Sequence, residues 1–453
     1  MSEIKRRTAI KSLGVISLGA FSSSFHETFP DGVSGKIEEV FTDILVVGGG
    51  TAGVVAALQA ARAGCKTTII ENGSQLGGTI TTGGVAFPGL FHAWGKQIIG
   101  GIGWELVRET VALNGDKLPE FSASPVRHWH NQIPVNGPLY ALLAEEKCAE
   151  AGVAIRYYET PVEIKFQNAK WVVKTMGKGV NRKIICSQII DCSGNAFAAK
   201  LAGFNVLRES ETQPGSLLFR LGGYDYEQLD LEKIPNQYHG MLRQNMLIQQ
   251  RNDNLQEDLP YFTPYSLVVV GSADSSTSEL HTIANMKGRK ELLQLVRTLK
   301  TFPGCEKLRI LEMKTETAVR ETYRIDGLYQ ISQSDYLSGK LFEDSLSYAF
   351  YPVDLWREGK SIHQEYLKEG VVATVPLRAL IPRGSENFMV AGRCVSSDRM
   401  ANSGLRVQAS CMAMGQAAGA AAALAHVKNT TPLNVPLKEI KTLIVNHGGI
   451  VPA

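Results

Sequence analysis

The clearest hydrophobic pattern in the chain lies between Asp43 and Glu71. Residues 44–47 form an unbroken apolar run, which is typical of a short parallel strand buried on both faces. Small and apolar residues then recur at helical spacing as far as Gly64, which is suited to end a helix in the left-handed conformation. Residues 67–70 have the pattern of a second buried strand. The stretch therefore predicts a strand, a tight turn, a helix and a second parallel strand.

The predicted turn carries the glycine spacing of a dinucleotide-binding fingerprint, with Gly48, Gly50 and Gly53 as G-x-G-x-x-G. The first glycine permits the turn, the second lets backbone approach a diphosphate, and the third lets the helix pack closely. Glu71 ends the second strand, where a carboxylate can accept from ribose hydroxyls and disfavours a 2′-phosphate. The unit indicates FAD or NAD rather than NADP. The predicted contacts are Gly48, Gly50, Thr51, Ala52, Gly53, Glu71 and Asn72.

Residues 73–85 are too rich in glycine and threonine for a regular element. Gly77 and Gly78 begin a set of glycines that would let backbone N–H groups lie against a phosphate or a flat ring. The alternative is a flexible surface loop.

Further elements complete a nucleotide-binding sheet in this interpretation. Residues 138–151 predict an amphipathic helix, and residues 153–158 a strand. Residues 162–166 and 171–175 predict a hairpin, followed by a strand over 183–192.

Charged, Gln and Tyr residues interleave from about residue 205 to 375, with a predicted helix over 290–301 and a strand over 267–270. The C-terminal part has the same kind of sequence pattern as the first domain, with a predicted strand over 387–391 and a helix of small residues over 408–426. The predicted fold class is α/β. The predicted organisation is an export signal and linker (1–30), a nucleotide-binding domain (40–204), a substrate or cap domain (205–375) and a return to the first domain (376–453).

Composition narrows the function further. The 453 residues carry a net charge of +3 with 20% charged residues, and no basic and aromatic residues interleave, so a nucleic acid partner is not expected. Seven cysteines, an odd number in a chain this long, do not form the dense even framework of a disulfide scaffold. The absence of a C-x-x-C pair argues against a dithiol redox motif and a thiolate zinc site. His128 and His130 are two residues apart, but prolines surround them, and no metal is predicted.

The N-terminus resembles a twin-arginine export signal. Lys5, Arg6 and Arg7 precede an apolar run over residues 13–21, although Ala9 stands where such signals usually have Phe. The run is shorter than the roughly 20 residues of a transmembrane helix, so no stable membrane span is predicted. The expected location is periplasmic or extracytoplasmic after export. The alternative is a frayed basic N-terminus.

Four blocks of sequence resemble the FAD-dependent oxidoreductase family, within the glutathione-reductase-like flavoproteins, over about residues 41–426. They are the fingerprint with LGG at 76–78, DCSG at 191–194, RETYRIDG at 320–327, and the C-terminal block LIPRGSENFMVAGRCVSS at 380–397 running on into LRVQASCMAMGQAAG at 405–419. The resemblance implies a glutathione-reductase-like FAD-binding Rossmann domain with an interleaved α+β substrate domain, and FAD as the cofactor. Cys192 and Ser193 replace the family's more common Ala and Thr.

The resemblance also assigns further cofactor contacts. Val162 would meet the adenine through its backbone, and Ser193 and Gly194 would line the same end. The isoalloxazine would lie near the second glycine loop and would be closed off by the C-terminal block. These positions are Gly77, Gly78, Thr79, Gly392, Arg406 and Val407. The small-residue helix would direct its N-terminal partial positive charge at the flavin, unless it is a plain core helix.

Hydride transfer needs a substrate carbon held over the flavin and a group that moves the accompanying proton. The candidates are Arg320, Glu321, Arg324, His92, Tyr351 and Arg393, with Asp354 beside them. An arginine in the family motif can bind a carboxylate or stabilise an oxyanion. Glu321 fits an ion-pair network equally well, and a lone histidine such as His92 often only satisfies local hydrogen bonds.

The function predicted from these residues is hydride exchange between flavin N5 and a small polar organic substrate, such as an alcohol, a sugar derivative or a hydroxy acid. Residues 100–450 contain no second G-x-G-x-x-G between a strand and a helix, so the partner is a separate electron acceptor or donor rather than NAD(P)H. Three alternatives remain: a non-redox use of FAD, an electron-carrying flavin module and an NAD-dependent dehydrogenase.

Overall fold

The structure is a computed structural model that describes residues 37–121, 128–250, 265–359 and 361–453; the side chains of residues 129, 130 and 247–250 are not described. The predicted export segment, residues 1–30, lies outside the described residues. Residues Ile37–Ala453 form one compact unit.

A parallel sheet of five strands positions the candidate site. Its strands are β2 (Ile44–Val47), β3 (Thr67–Glu71), β6 (Ala154–Tyr157), β10 (Gln188–Asp191) and β20 (Phe388–Val390), in the spatial order β20-β10-β2-β3-β6. Every neighbouring pair is parallel, so the carboxyl ends of the strands share one edge. The predicted strands over 44–47, 67–70, 153–158 and 387–391 are confirmed, and the fold is α/β with a Rossmann-like sheet.

A second sheet contains β1 (Glu38–Phe41), β7 (Thr160–Gln167), β8 (Lys170–Gly177) and β9 (Val180–Cys186), in the order β1-β9-β8-β7. The predicted hairpin is confirmed as β7 and β8, but it belongs to this sheet and not to the nucleotide-binding one. The prediction of a single strand over 183–192 is wrong, because β9 ends at Cys186 and β10 begins at Gln188. The backbone N–H groups of Ser187 and Gln188 both donate to the carbonyl of Asp43, at 2.9 and 3.1 Å, where the chain crosses between the sheets.

The described residues also form helices, some of which pack against the parallel sheet. They are α1 (Thr51–Arg62), α2 (Gly101–Leu113), α3 (Gly137–Glu150), α4 (Phe197–Leu201), α5 (His239–Gln250), α6 (Ser278–Leu299), α7 (Gln333–Ser338), α8 (Arg399–Leu405), α9 (Gln408–Val427) and α10 (Leu437–Asn446). Within the described ranges, none is long and apolar enough to cross a bilayer.

The middle of the chain adds an antiparallel sheet of β12 (Gly215–Gly222), β13 (Ser266–Val270) and β14 (Arg309–Met313). Helix α6 packs on it and begins well before the predicted 290, because the Thr277 side chain accepts from the N–H of Leu280 and caps the helix. Two-stranded pairs complete the strands: β4 (His92–Ala93) with β5 (Lys96–Gln97), β11 (Val206–Leu207) with β15 (Arg324–Ile325), β16 (Ser345–Ala349) with β19 (Ala373–Pro376), and β17 (Val353–Leu355) with β18 (His363–Glu365).

The segment 205–375 contributes to more than one hydrophobic core. Leu217, Phe219 and Leu292 belong to a core of its own. Tyr336 and Val375 instead pack in the large core that contains α1 and α9. The later part of this segment is therefore built against the nucleotide-binding sheet, although the predicted boundary at 375 stays a prediction.

Helix α9 packs against α1 at very short range, as its small residues allow. A Cβ at Gly415 would lie 2.3 Å from the carbonyl oxygen of Ala52, and one at Gly419 would lie 2.5 Å from that of Ala56. Both distances are far below van der Waals contact, so only glycine is accommodated at these positions. The helix predicted over 408–426 is confirmed, and it lies directly against the first helix of the chain.

Candidate functional site

A cavity of about 390 Å³ lies at the shared carboxyl edge of the parallel strands. Val47 at the end of β2, Glu71 at the end of β3, Cys192 just after β10 and Gly392 just after β20 all line it. Ligands of open α/β sheets bind in the crevice outside the carboxyl ends of the strands. We therefore assign this cavity as the candidate functional site.

The first glycine loop forms one wall of the cavity. Gly48 has φ +101°, and a Cβ there would lie 2.7 Å from the carbonyl oxygen of Cys192, so the position requires glycine. A Cβ at Gly53 would lie 1.9 Å from the carbonyl oxygen of Gly48, which explains the close approach of α1 to the turn. A Cβ at Gly50, in contrast, would meet nothing within 4 Å. Gly50 thus borders open space inside the cavity.

The N-terminus of α1 faces the same space. Gly50 is its N-cap and supplies no side-chain hydrogen bond, while Thr51 and Ala52 line the cavity. Uncapped N–H groups and the helix dipole at this end attract negative charge. This end of the cavity is suited to a diphosphate.

The carboxylate of Glu71 is held in a fixed orientation at the cavity wall. It accepts from the N–H groups of Gly49 and Gly73, at 2.7 and 2.6 Å. Burial raises its pKa, and the two hydrogen bonds oppose that shift. Asn72 follows it in the wall. The position of Glu71 at the end of β3 is the one that meets ribose hydroxyls in dinucleotide-binding folds.

The second glycine loop packs onto the first. Gly77 has φ +103° and donates to the carbonyl of Gly49 at 2.8 Å, so it lies behind the wall and does not line the cavity. Gly78 and Thr79 do line it. The loop over 73–85 therefore forms part of the cavity wall.

The segment after β10 is organised by a buried carboxylate. Asp191 accepts from the N–H groups of Ser193 and Ala199, each at 2.9 Å, and burial raises its pKa. Ser193 and Gly194 line the cavity. Val162 does not. Its side chain is 43% exposed on β7, and the residues of that segment that reach the cavity are Glu159, Thr160 and Pro161.

Three arginines also line the cavity: Arg320, Arg393 and Arg406. The Arg320 guanidinium lies 4.1 Å above the ring of Trp356 and donates to the carbonyl of Pro214 at 2.5 Å. Burial, together with the positive charge of Arg406, lowers the pKa of Arg320 to about 9, so it stays charged at neutral pH.

Arg406 and Arg393 differ in what holds them. Arg406 Nη2 lies 3.8 Å from the carboxylate of Asp354 and donates to its carbonyl at 3.2 Å, while the Arg406 Nε is buried without a partner. Arg393 donates through Nε to the carbonyl of Gly194 at 2.5 Å and through Nη1 to that of Val319. Burial lowers its pKa. Arg393 thus ties two wall segments together.

Four predicted catalytic residues lie outside the cavity lining. Glu321 is 3% exposed and accepts from both Nε and Nη2 of Arg399, which is the ion-pair interpretation of this residue. Those bonds oppose its burial and lower its pKa. Arg324, in β15, is also 3% exposed and pairs with Glu209 at 2.6 Å. Neither residue lines the cavity, although the buried Arg324 Nε has no hydrogen-bond partner, and a catalytic role of Glu321 and Arg324 stays a prediction.

His92 and Tyr351 are also absent from the residues that line the cavity. The His92 ring stacks on Phe121 with 3.5 Å between centroids, and burial lowers its pKa to about 4. The Tyr351 hydroxyl accepts from Gln132 Nε2 at 3.1 Å, and burial raises its pKa. Val407 is the N-cap of α9 and its side chain packs against Gly89. His92, Tyr351 and Val407 therefore do not line the cavity.

The structure adds lining residues that the sequence did not single out. Gln408 and Cys411 come from the first turns of α9, and the buried Gln408 Oε1 has no partner. The segment 275–278, at the start of α6, also lines the cavity, where Asn195 Nδ2 donates to the carbonyl of Ser275 at 3.0 Å. The run of serine and threonine over 275–278 has no pattern typical of a ligand site, so only the packing of α6 revealed it.

No group of three or more metal-binding side chains occurs in the part of the chain that the structure describes. His128 Nδ1 lies 3.0 Å from the hydroxyl of Tyr366, and the side chain of His130 is outside the described residues.

A model of the FAD-dependent oxidoreductase family matches residues 43–444. Dihydrolipoyl dehydrogenase from Staphylococcus aureus is 37% identical over 87 residues, which is 19% of this chain and 19% of that protein. Cinnamate reductase from Clostridium sporogenes is 39% identical over 95 residues, 20% of this chain and 14% of that protein. The chain therefore spans no more than 19% of the length of these two relatives.

Among solved structures, a geranylgeranyl bacteriochlorophyll reductase-like protein from Thermoplasma acidophilum gives a TM-score of 0.43 at 14% identity, over 90% of this chain and 84% of that one. A flavoprotein/dehydrogenase from Cytophaga hutchinsonii gives 0.42 at 15% identity, over 90% and 86%.

Proposed function

The chain belongs to the FAD-dependent oxidoreductase family, and on that premise we propose that it moves a hydride between flavin N5 and a small polar organic substrate, such as an alcohol, a sugar derivative or a hydroxy acid. It is an oxidoreductase with FAD as cofactor. The observation that carries the proposal is one cavity whose wall contains both a glycine loop suited to a diphosphate and a set of half-buried arginines.

The residues of the cavity fit FAD. The open space beside Gly50 and the uncapped N-terminus of α1 would hold the diphosphate, and Glu71 would accept from the ribose. Gly78, Thr79 and Gly392 would lie along the flavin end. In this proposal the domain is of the glutathione-reductase-like kind, as the order of its sequence blocks suggests.

FAD, when bound, supplies a two-electron centre that accepts or donates hydride at N5. If the substrate is an alcohol, its C–H bond would give up the hydride to the bound flavin and its hydroxyl proton would pass to solvent, and a separate acceptor would later take the two electrons from the flavin. Two of the charged groups that line the cavity, Arg320 and Arg406, would orient the substrate and stabilise negative charge on its oxygen. The buried phenol of Tyr351 stays protonated at neutral pH and would help to keep water away from this end.

Anaerobic reduction of the flavin tests this function. Purified protein is expected to be yellow, and a panel of alcohols, sugar derivatives and hydroxy acids added without oxygen should contain a compound that bleaches the flavin band. A protein that uses FAD without redox chemistry would keep its band with every compound, although dithionite would still bleach it. Colourless protein with nicotinamide-dependent turnover would instead indicate an NAD-dependent dehydrogenase.

We also propose export, on the basis of Arg6 and Arg7 and the apolar run that follows them. The twin-arginine route carries folded proteins, which suits a chain that must bind FAD before it leaves the cytoplasm. Expression with a C-terminal tag should give periplasmic holoprotein whose N-terminus lies beyond residue 20. Replacement of Arg6 and Arg7 by lysine should retain it in the cytoplasm; equal periplasmic recovery of that variant would contradict this route.

A further inference from the structure

The arginines in the cavity wall are not balanced by carboxylates. Within the described residues, no Asp or Glu oxygen lies within 4.0 Å of the Arg320 or Arg393 side chains, and Asp354 approaches Arg406 only to 3.8 Å. Asp354 is also engaged elsewhere, since it accepts from Trp356 Nε1 at 3.0 Å and from Gln364 Nε2 at 3.1 Å. Asp354 therefore acts on Arg320 and Arg406 without a close ion pair, and Glu321 acts on Arg393 in the same way.

The acidic residues that line the cavity do not correct this imbalance. Glu71 accepts from two backbone N–H groups, and Glu159 pairs with Arg182 on the second sheet. Glu316 lies 4.0 Å from the ring of His281. Each of them is committed to its own part of the wall.

Arg320 and Arg406 have the capacity to bind an anion, which Arg393 lacks. Arg393 has two carbonyl partners that fix it between wall segments. Arg320 has a single carbonyl partner and an aromatic ring beneath its plane, and Arg406 has a buried Nε without any partner. Stacking on an aromatic face holds a guanidinium in place while leaving its edge free to donate.

Buried, unbalanced positive charge is costly, and an anion that accepts two charge-assisted hydrogen bonds removes that cost. Planar guanidinium groups match the geometry of a carboxylate in particular. We propose, building on the function above, that the substrate is an organic acid whose carboxylate is bound by Arg320 and Arg406. Among the compounds named above, this selects hydroxy acids and acidic sugars over neutral alcohols.

The other anion that could reach the cavity is the diphosphate of FAD itself. The glycine loop and the start of α1 already provide for it, so Arg320 and Arg406 are assigned to the substrate. The two sources are separated by the cofactor content of an Arg320→Gln variant, which should retain FAD if the arginine binds substrate.

Titration of the holoenzyme with non-reacting acids tests the assignment directly. Oxalate and acetate should shift the visible flavin spectrum in a saturable way, whereas oxamide and acetamide, which have the same shape and no charge, should not. In Arg320→Gln the dissociation constant for oxalate should rise at least about tenfold, and Arg320→Lys should recover part of the loss. The matched control is Arg297→Gln, which removes the same charge from an exposed position of α6 and should bind oxalate as the unaltered enzyme does.

Three results would overturn the proposal: equal shifts with the amides, unchanged oxalate binding in Arg320→Gln, or loss of FAD from that variant. The last would assign Arg320 to the cofactor. Failure of hydride transfer looks different, because acids would still bind and shift the spectrum while no compound of the panel bleached the flavin. The carboxylate site and the redox function can therefore fail separately.

Discussion

Replacement of Gly50 by valine should yield a folded protein that no longer retains FAD. Gly50 has φ −65° and ψ 179°, an extended conformation that valine adopts without strain, so the backbone should tolerate the change. The added side chain would project into the open space beside the N-terminus of α1, where the diphosphate is expected to lie. Loss of that contact together with steric overlap should weaken FAD binding at least about 100-fold, or about 2.7 kcal/mol.

The measurement is the ratio of flavin to protein after gel filtration, followed by titration of the apoprotein with FAD. Gly240→Val is the matched control, because a Cβ there also meets nothing within 4 Å but the residue lies on α5, away from the cavity. Gly50→Ala should give an intermediate affinity. Full flavin content in Gly50→Val would contradict the position assigned to the diphosphate.

Replacement of Arg320 by alanine should leave FAD bound while slowing flavin reduction by the substrate at least about 100-fold, since a charge-assisted contact to the substrate is lost in a buried site. The observation behind this expectation is a charged guanidinium that lines the cavity, stacks on Trp356 and has no carboxylate partner among the described residues. The rate is measured anaerobically by stopped flow with the compound that the panel identifies.

Two controls separate a direct role of Arg320 from a general weakening of the protein. The midpoint of thermal unfolding reports the stability, and Arg297→Ala reports the effect of removing an exposed arginine. Arg320→Lys should recover part of the rate, because it restores the charge without the planar donor group. A rate within threefold of the unaltered enzyme would remove Arg320 from the active site.

The sequence predicted the first βαβ unit almost residue by residue. The apolar run before Gly48, the spacing of the glycines and the acid at Glu71 are local features, and each was found where its physical role requires it. The C-terminal strand and the helix α9 were predicted equally well. A long run of alanine and glycine is typical of a helix that packs closely against its neighbours.

The errors came from places where the partner of a residue is distant in sequence. The strand over 183–192 was split because Asp43 draws the backbone at Ser187 into a crossing between two sheets. Glu321 and Arg324 belong to one motif with Arg320, yet side chains that follow one another along the chain point in different directions, and only Arg320 reaches the cavity.

The sequence by itself determined the cofactor-binding turn, the cofactor and the class of fold, because these depend on backbone conformations and short-range spacing that a local pattern encodes. Only the tertiary structure decided which charged side chains line the cavity and which are used up in ion pairs. That choice depends on contacts such as Glu321 with Arg399 and Arg320 with Trp356, which join segments that the chain order leaves apart.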